Sequence, residues 1–237
     1  MLYTGTSGWA YPSWKPAFYP EKLAQKKFLQ FYSSRLNAVE VNYTFRHMLS
    51  EKTIQNWLAE TPPEFRFCVK AHQAITHIRR LKNTEELLPR FLSSVEPLAA
   101  AGRLGAVLFQ LPPNLKADPM LLHGFVTALP PVLRASFEFR HPSWFSDEIF
   151  AILRKHQLAL CVAESEDRDT PDIATALFRY YRFRKPAYSE DERRAIAATM
   201  RRQSGEADVF AFFKHEESPE GALLAEELRK IVQAQAA

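Results

Sequence analysis

Cysteine is scarce in this sequence, with Cys68 and Cys161 the only two among 237 residues. Both lie within apolar stretches with the composition of strands, so we expect buried free thiols in a reducing compartment rather than a disulfide. The chain has no CxxC motif, and its seven histidines form no HExxH pattern. These absences argue against a disulfide scaffold and against a zinc-stabilised domain.

Long hydrophobic runs and nucleotide-binding motifs are also missing. No apolar run approaches the roughly 20 residues needed to cross a bilayer, and residues 1–5 resemble a strand rather than a signal peptide. There is no GxGxxG motif, Walker loop or nucleophile elbow, which argues against the common nucleotide cofactors and α/β-hydrolase chemistry. We therefore expect a soluble, cytoplasmic protein with no cofactor and no membrane partner.

What the chain does have is enough apolar material for a full core. Hydrophobic residues make up 46% of it, including 18 phenylalanines, and single α/β barrels commonly have this length. Eight short apolar segments have the composition of strands: residues 3–6, 38–41, 65–71, 105–111, 134–140, 158–162, 177–183 and 209–213. Helical patterns separate most of them, but the sixth and seventh are joined by a short acidic connection.

This order predicts one (β/α)8 TIM-type barrel domain over residues 1–237. A doubly wound parallel sheet is the alternative, although it gives no reason for polar groups at nearly every strand end. In a barrel, the carboxyl ends of the strands form the functional face.

The most informative segment is residues 136–144, Ser-Phe-Glu-Phe-Arg-His-Pro-Ser-Trp. Its alternation places Glu138 and Arg140 on one face of a strand, and Pro142 ends that strand. An acid and a base on the inner face must be paired or must reach solvent. They therefore predict either an internal salt bridge or an acid–base and substrate-orienting pair.

Polar and aromatic side chains follow several other predicted strands. Glu138 and Glu40 are the catalytic candidates, and two carboxylates flanking a bond would suit glycoside hydrolysis. An excess of cations suits a phosphate, a carboxylate or a nucleic-acid backbone. Candidate ligand-binding residues are Arg140, His141, Lys70, His72, Gln110, Asn42, Trp9, Trp144, Arg182 and Lys214.

Strand seven is ambiguous, because either Arg179 and Tyr181 or Tyr180 and Arg182 could face inward.

Two further interpretations concern metals and nucleic acids. We expect no metal, although His72, His141, His215 and Glu138 could be combined into a site. Residues 179–202 contain eight basic and three acidic residues, so this segment could bind nucleic acid or could be a solvated helix face.

Several motifs together resemble the YecE-like family, also called domain of unknown function 72. They include Gly-Thr-Ser-Gly-Trp at residues 5–9, Val-Glu-Val-Asn at 39–42, Leu-Gly-Ala-Val-Leu-Phe-Gln-Leu-Pro-Pro at 104–113 and Phe-Glu-Phe-Arg-His-Pro-Ser-Trp-Phe at 137–145. The resemblance extends over the whole chain and implies a TIM-type barrel without implying a reaction. Seven candidate residues match the family pattern: Glu40, Asn42, Lys70, Gln110, Glu138, Arg140 and His141.

The chain departs from that pattern mainly in its last third. Arg182-Phe183-Arg184-Lys185 and Phe213-Lys214-His215 replace the usual residues after the last two strands, which makes the barrel mouth more basic. We therefore expect an enzyme-like barrel that binds a small anionic or sugar-like ligand, with hydrolysis of a phosphate ester or glycosidic bond as the first reaction to consider. The alternative is a non-catalytic protein that binds nucleic acid through residues 179–202.

Overall fold

Eight parallel strands form the centre of the fold in the computed structural model, which describes residues 1–164, 170–214 and 218–234. They are β1 (Leu2–Thr6), β2 (Ala38–Val41), β3 (Arg66–Lys70), β4 (Leu104–Gln110), β5 (Ala135–Glu138), β6 (Ala159–Ala163), β7 (Phe178–Phe183) and β8 (Asp208–Phe213). From β2 to β8 each strand pairs with its neighbour in sequence, and β8 pairs with β1. The barrel prediction is confirmed, and the doubly wound alternative is wrong because the strand order never reverses.

Within the described residues, seven α-helices surround the strands: α1 (Phe28–Arg35), α2 (Glu51–Glu60), α3 (Leu87–Ala100), α4 (Pro119–Thr127), α5 (Asp147–Lys155), α6 (Glu190–Glu206) and α7 (Glu220–Ala234). Ser50, Asp118 and Ser189 are the N-caps of α2, α4 and α6, and each side chain accepts a backbone N–H from the first helical turn. Residues 170–177, in the described part of the β6–β7 connection, form no helix. No helix within the described ranges is long and apolar enough to cross a membrane.

The apolar side chains divide into two clusters because alternate residues of each strand point to opposite faces. Val39, Phe67 and Phe137 belong to the larger cluster, which fills the layer between barrel and helices. Cys68, Cys161 and Phe210 belong to the smaller one inside the barrel. Both cysteines are buried free thiols, as predicted.

Side chains close the seam between β1 and β2, the two ends of the pairing order. Asn37 accepts from Thr4 N (2.8 Å) and donates to Leu2 O (2.9 Å), as a neighbouring strand would. The Tyr32 hydroxyl accepts from Thr6 N (2.8 Å) and donates to the Ala38 carbonyl (3.0 Å). A Cβ on Gly5 would lie 1.9 Å from that carbonyl oxygen, so the backbones meet where a side chain does not fit.

Candidate functional site

A buried guanidinium joins two carboxylates at the carboxyl end of the barrel. Arg182 Nη2 lies 2.7 Å from Glu40 Oε1, and Arg182 Nη1 lies 2.5 Å from Glu138 Oε2. The side chains of Arg182, Glu40 and Glu138 are 3%, 0% and 2% exposed, respectively. With Gln110 and Arg140, which also contact Glu138, they form what we call the Arg182 cluster. Each charge is paired, as burial requires.

Glu138 is the most heavily bonded member of the Arg182 cluster. Its Oε1 accepts from Gln110 Nε2 at 2.8 Å and from Arg140 Nε at 3.0 Å, and Arg184 Nη2 lies 3.6 Å away. Burial disfavours the charged form, but Arg182, Arg184 and Arg140 outweigh it and hold the pKa of Glu138 well below its usual range. Glu138 is therefore a carboxylate at neutral pH.

This arrangement bears on both predicted catalytic residues. A general acid must carry a proton at the working pH, so the ionised state of Glu138 argues against that role, and its use as a base stays a prediction. A glycosidase needs its two carboxylates on either side of the scissile bond. Here the Arg182 guanidinium stands between Glu40 and Glu138, so a glycosidic bond has no place between them. The salt bridge predicted between Glu138 and Arg140 is present, with 3.0 Å between Oε1 and Nε.

The orientation of β7 is now clear. Tyr180 and Arg182 point into the barrel, where the Tyr180 hydroxyl donates to Glu40 Oε2 at 2.8 Å. Arg179 and Tyr181 point outward, to Gln203 and Asp172. The alternation alone could not choose between the two pairs, and for that reason the sequence did not identify Tyr180 as a partner of Glu40.

An open cavity of about 610 Å³ lies beside the Arg182 cluster, and we call it the mouth cavity. Among the residues that the structure describes, its charged lining consists of four cations and two acids: Arg140, Arg184, Lys185, Lys214, Glu138 and Glu164. His141 also lines it, with its Nδ1 2.8 Å from Ser143 Oγ. Since both Glu138 oxygens already have cationic partners, the cavity offers positive charge to a ligand. Lys214 and Arg140 were among the candidate ligand-binding residues, and Arg184 was expected at the barrel mouth only as one of the residues that make it more basic.

The candidates on the β2 and β3 side lie next to the Arg182 cluster. Lys70 Nζ is 4.1 Å from the Phe45 ring centroid, and His72 Nδ1 accepts from Ala74 N at 3.1 Å. Asn42 Oδ1 is buried with no hydrogen-bond partner among the described residues. His77, which was not among the candidate ligand-binding residues, packs edge-on against Phe45, with 4.9 Å between the ring centroids.

The two candidate tryptophans lie in different surroundings. Trp144 is fully buried, stacks on Phe139 at 4.6 Å and donates to the Leu115 carbonyl at 2.7 Å. The prediction that it lines the pocket is wrong, because the turn after β5 directs its ring into the core. Trp9 is half-buried and packs edge-on against Trp57 of α2, 5.2 Å between centroids.

The basic segment 179–202 is largely neutralised by its neighbours. Arg182 and Arg184 turn toward Glu138, Lys185 pairs with Glu192 at 2.9 Å, and Arg194 pairs with Glu190. Arg193 lies 3.6 Å from Glu227 of α7. The charges of Arg182, Arg184, Lys185, Arg193 and Arg194 are therefore divided between the barrel interior, the mouth cavity and ion pairs along α6.

No three histidine, cysteine, aspartate or glutamate side chains within residues 1–164, 170–214 and 218–234 are grouped as metal ligands. His215, one member of the alternative metal site, lies outside the described residues.

Comparison with known proteins gives a family without an activity. A family model described as "Protein of unknown function DUF72" matches residues 3–237. The UPF0759 protein YunF of Bacillus subtilis is 32% identical over 156 residues, which are 63% of this chain and 54% of YunF. The UPF0759 protein YecE of Escherichia coli K12 is 31% identical over 148 residues, 62% of this chain and 51% of YecE. The chain spans about half the length of the curated relatives it matches.

Solved structures give the same family. A crystal structure of a DUF72 family protein from Thermotoga maritima has a TM-score of 0.86 and 27% identity, covering 98% of this chain and 99% of that one. A second, from Enterococcus faecalis, has a TM-score of 0.75 at 18% identity, covering 97% and 98% of the two chains, and shows a shared fold.

Proposed function

This chain belongs to the DUF72 family of proteins of unknown function, and we propose that its mouth cavity binds a small ligand carrying a phosphate or carboxylate group, such as a sugar phosphate. The observation that carries the proposal is the imbalance of charge around a concave site. Among the described residues, four cationic side chains line the cavity against two acids. Glu138 is neutralised from behind by Arg182, and Lys185 is paired with Glu192, so that in this described lining Arg140, Arg184 and Lys214 face Glu164 alone.

The position of the cations within the barrel supports the same ligand. Arg184 and Lys185 follow β7, and Lys214 follows β8. Phosphate sites in barrels of this type are frequently formed by the loops after these two strands. The cavity volume of about 610 Å³ falls within the range of about 300–1,000 Å³ typical of small-molecule sites.

Arg140 is the residue best placed to hold the anion. Its side chain is 35% exposed, and only its Nε contacts Glu138, so the guanidinium reaches the cavity with part of its donor set available. Guanidinium groups bind phosphate and carboxylate through paired charge-assisted hydrogen bonds.

Hydrolysis of a phosphate ester is the reaction proposed for this site. Arg140 and Arg184 would stabilise the charge that develops on the phosphoryl oxygens. Cleavage of a glycosidic bond is not part of the proposal, because Arg182 separates the two carboxylates. Nucleic-acid binding is not part of it either, because Arg182, Arg193 and Arg194 of the basic segment are held in separate ion pairs.

The test is a thermal-shift screen with inorganic phosphate, sugar phosphates, small carboxylates, neutral sugars and short oligonucleotides. A ligand at 100 times its dissociation constant adds about 2.7 kcal/mol of stability. For a chain of this length, that corresponds to a rise in Tm of roughly 5–11 °C. We expect the rise with phosphates or carboxylates, and no rise with neutral sugars.

The matched variants are Arg140→Ala and Arg90→Ala, since Arg90 is an exposed arginine on α3, away from the mouth. We expect the shift to disappear in Arg140→Ala and to persist in Arg90→Ala. An equal shift in both variants would place the anion elsewhere. A shift with oligonucleotides alone would favour a nucleic-acid-binding protein. Release of phosphate from a bound ester, measured separately, tests the hydrolytic part.

A further inference from the structure

Lys70 is the charged residue near the mouth that the binding proposal does not use. It ends β3, and its backbone is fixed on both sides: Thr44 Oγ1 donates to its carbonyl at 2.7 Å, and Ala71 N donates to Leu108 O at 2.9 Å. The side chain is half-buried at the end of the barrel where TIM-type enzymes carry their catalytic groups.

The surroundings of the Lys70 amine differ from those of an ordinary lysine. Its nitrogen lies 4.1 Å from the Phe45 ring centroid, and no carboxylate of the described residues lies within 4.0 Å of it. Glu40 and Glu138 face it from β2 and β5, but both are already bound to Arg182. Among the described residues, Arg182, Arg140 and His77 are further charged or titratable groups that interact with it.

We propose that Lys70 is a nucleophilic amine that forms an imine with a small aldehyde or ketone carrying a phosphate or carboxylate group. Lysines become nucleophilic in proteins through desolvation or a neighbouring cation, and Lys70 has both. The proposal rests on the proposed function for the anion, which Arg140 would hold at the same end of the barrel.

The protonation of Lys70 agrees with this role. Burial, together with Arg182, lowers the pKa of Lys70 to about 8 against the opposing pull of Glu40 and Glu138. At pH 7.5 roughly a quarter of its amines are then neutral, compared with about one in a thousand for an ordinary lysine. Its reactivity toward carbonyl compounds at this pH should therefore exceed that of surface lysines.

The chemical step is a condensation that needs no oxidant or reductant. The lone pair of Lys70 Nζ attacks the carbonyl carbon, and the carbonyl oxygen takes a proton to give a carbinolamine. The hydroxyl group of the carbinolamine then takes a proton from solvent and leaves as water. The nitrogen releases its remaining proton, so that a C=N bond replaces C=O. Hydrolysis reverses the reaction.

The experiment traps the imine with sodium borohydride and locates it by peptide mass spectrometry. The probes are pyruvate and glycolaldehyde phosphate, with acetone and glycolaldehyde as matched neutral carbonyl compounds. We expect the peptide containing Lys70 to gain the mass of the anionic probe less one oxygen atom. Labelling should increase with pH, with its midpoint near 8.

Two variants establish the site. Lys70→Arg keeps the positive charge and should abolish the adduct, whereas Lys52→Arg changes an exposed lysine on α2, outside the mouth cavity, and should leave the Lys70 adduct in place. Labelling spread evenly over exposed lysines such as Lys52 and Lys116, or the absence of any Lys70 adduct, would overturn the proposal.

The same experiment distinguishes the failure of the imine from the failure of anion binding. If phosphate raises Tm through Arg140 but Lys70 is never labelled, the imine is wrong and the binding proposal stands. If Lys70 reacts equally with neutral and anionic probes, and equally in Arg140→Ala, the amine is nucleophilic but the anion site is wrong.

Discussion

Replacing Arg182 with methionine should destabilise the protein severely. Methionine fills most of the space but removes the charge that neutralises Glu40 and Glu138, whose side chains are 0% and 2% exposed. Glu138 would keep Arg140 and Arg184, whereas Glu40 would keep only hydroxyl groups, from Ser7 and Tyr180. Breaking a buried pair in this way costs about 3–5 kcal/mol.

Urea unfolding at pH 7 measures this loss, and a double mutant assigns it. Glu40→Gln removes the unpaired charge, so Glu40→Gln/Arg182→Met should be more stable than the two single changes predict together, by about 1–3 kcal/mol. Arg90→Met, on the exposed face of α3, should stay within about 0.5 kcal/mol of the unmodified protein. A loss below about 1 kcal/mol for Arg182→Met, or strict additivity in the double mutant, would refute the account of the Arg182 cluster.

Three further predictions follow from single contacts. Because the pKa of Glu138 is lowered in the folded protein, its ionisation stabilises the fold at pH values above the ordinary carboxyl pKa of about 4.5, and this stabilisation is lost as the pH falls below that value. The free energy of unfolding should therefore decrease less steeply with falling pH in Glu138→Gln than in the unmodified protein. Identical pH dependence in the two proteins would contradict the lowered pKa. Gly5→Ala should cost about 1–3 kcal/mol or more in thermal unfolding, because the added methyl meets the Ala38 carbonyl; an unchanged Tm would show that the seam can open. Arg194→Ala should leave the salt dependence of any oligonucleotide binding unchanged, because Arg194 is paired with Glu190 on an exposed helix; a reduced slope would support nucleic-acid binding.

The fold could be predicted from the sequence because each strand carries its own signal. Alternation or an apolar run marks the strand, and a following polar or proline residue marks its end, as at Gln110 and Pro142. The shortened β6–β7 connection was also visible, since too few residues lie there for a crossover helix. The β1–β2 seam was not, because the replacement of ladder hydrogen bonds by Asn37 and Tyr32 depends on where those side chains lie in three dimensions.

The candidate site could be predicted only in part, for a similar reason. Strand ends meet in any barrel, so Glu138, Arg140 and Gln110 were expected to lie near one another. That Arg182 would join Glu40 to Glu138 depended on the orientation of β7, which Tyr180-Tyr181 left ambiguous. Trp144 was misplaced because aromatic residues after a strand can turn either to the mouth or to the core, and local sequence does not distinguish the two.

Anion binding at the barrel mouth can be measured by calorimetric titration of inorganic phosphate into the unmodified protein, Arg140→Ala and Arg90→Ala. We expect saturable binding whose affinity falls about 10- to 100-fold in Arg140→Ala. This fall corresponds to about 1.5–3 kcal/mol, the contribution of one charge-assisted contact. Binding in Arg90→Ala should match that of the unmodified protein. Equal affinity in all three proteins, or no saturable binding of phosphate, sugar phosphates or carboxylates, would contradict an anion site at the barrel mouth.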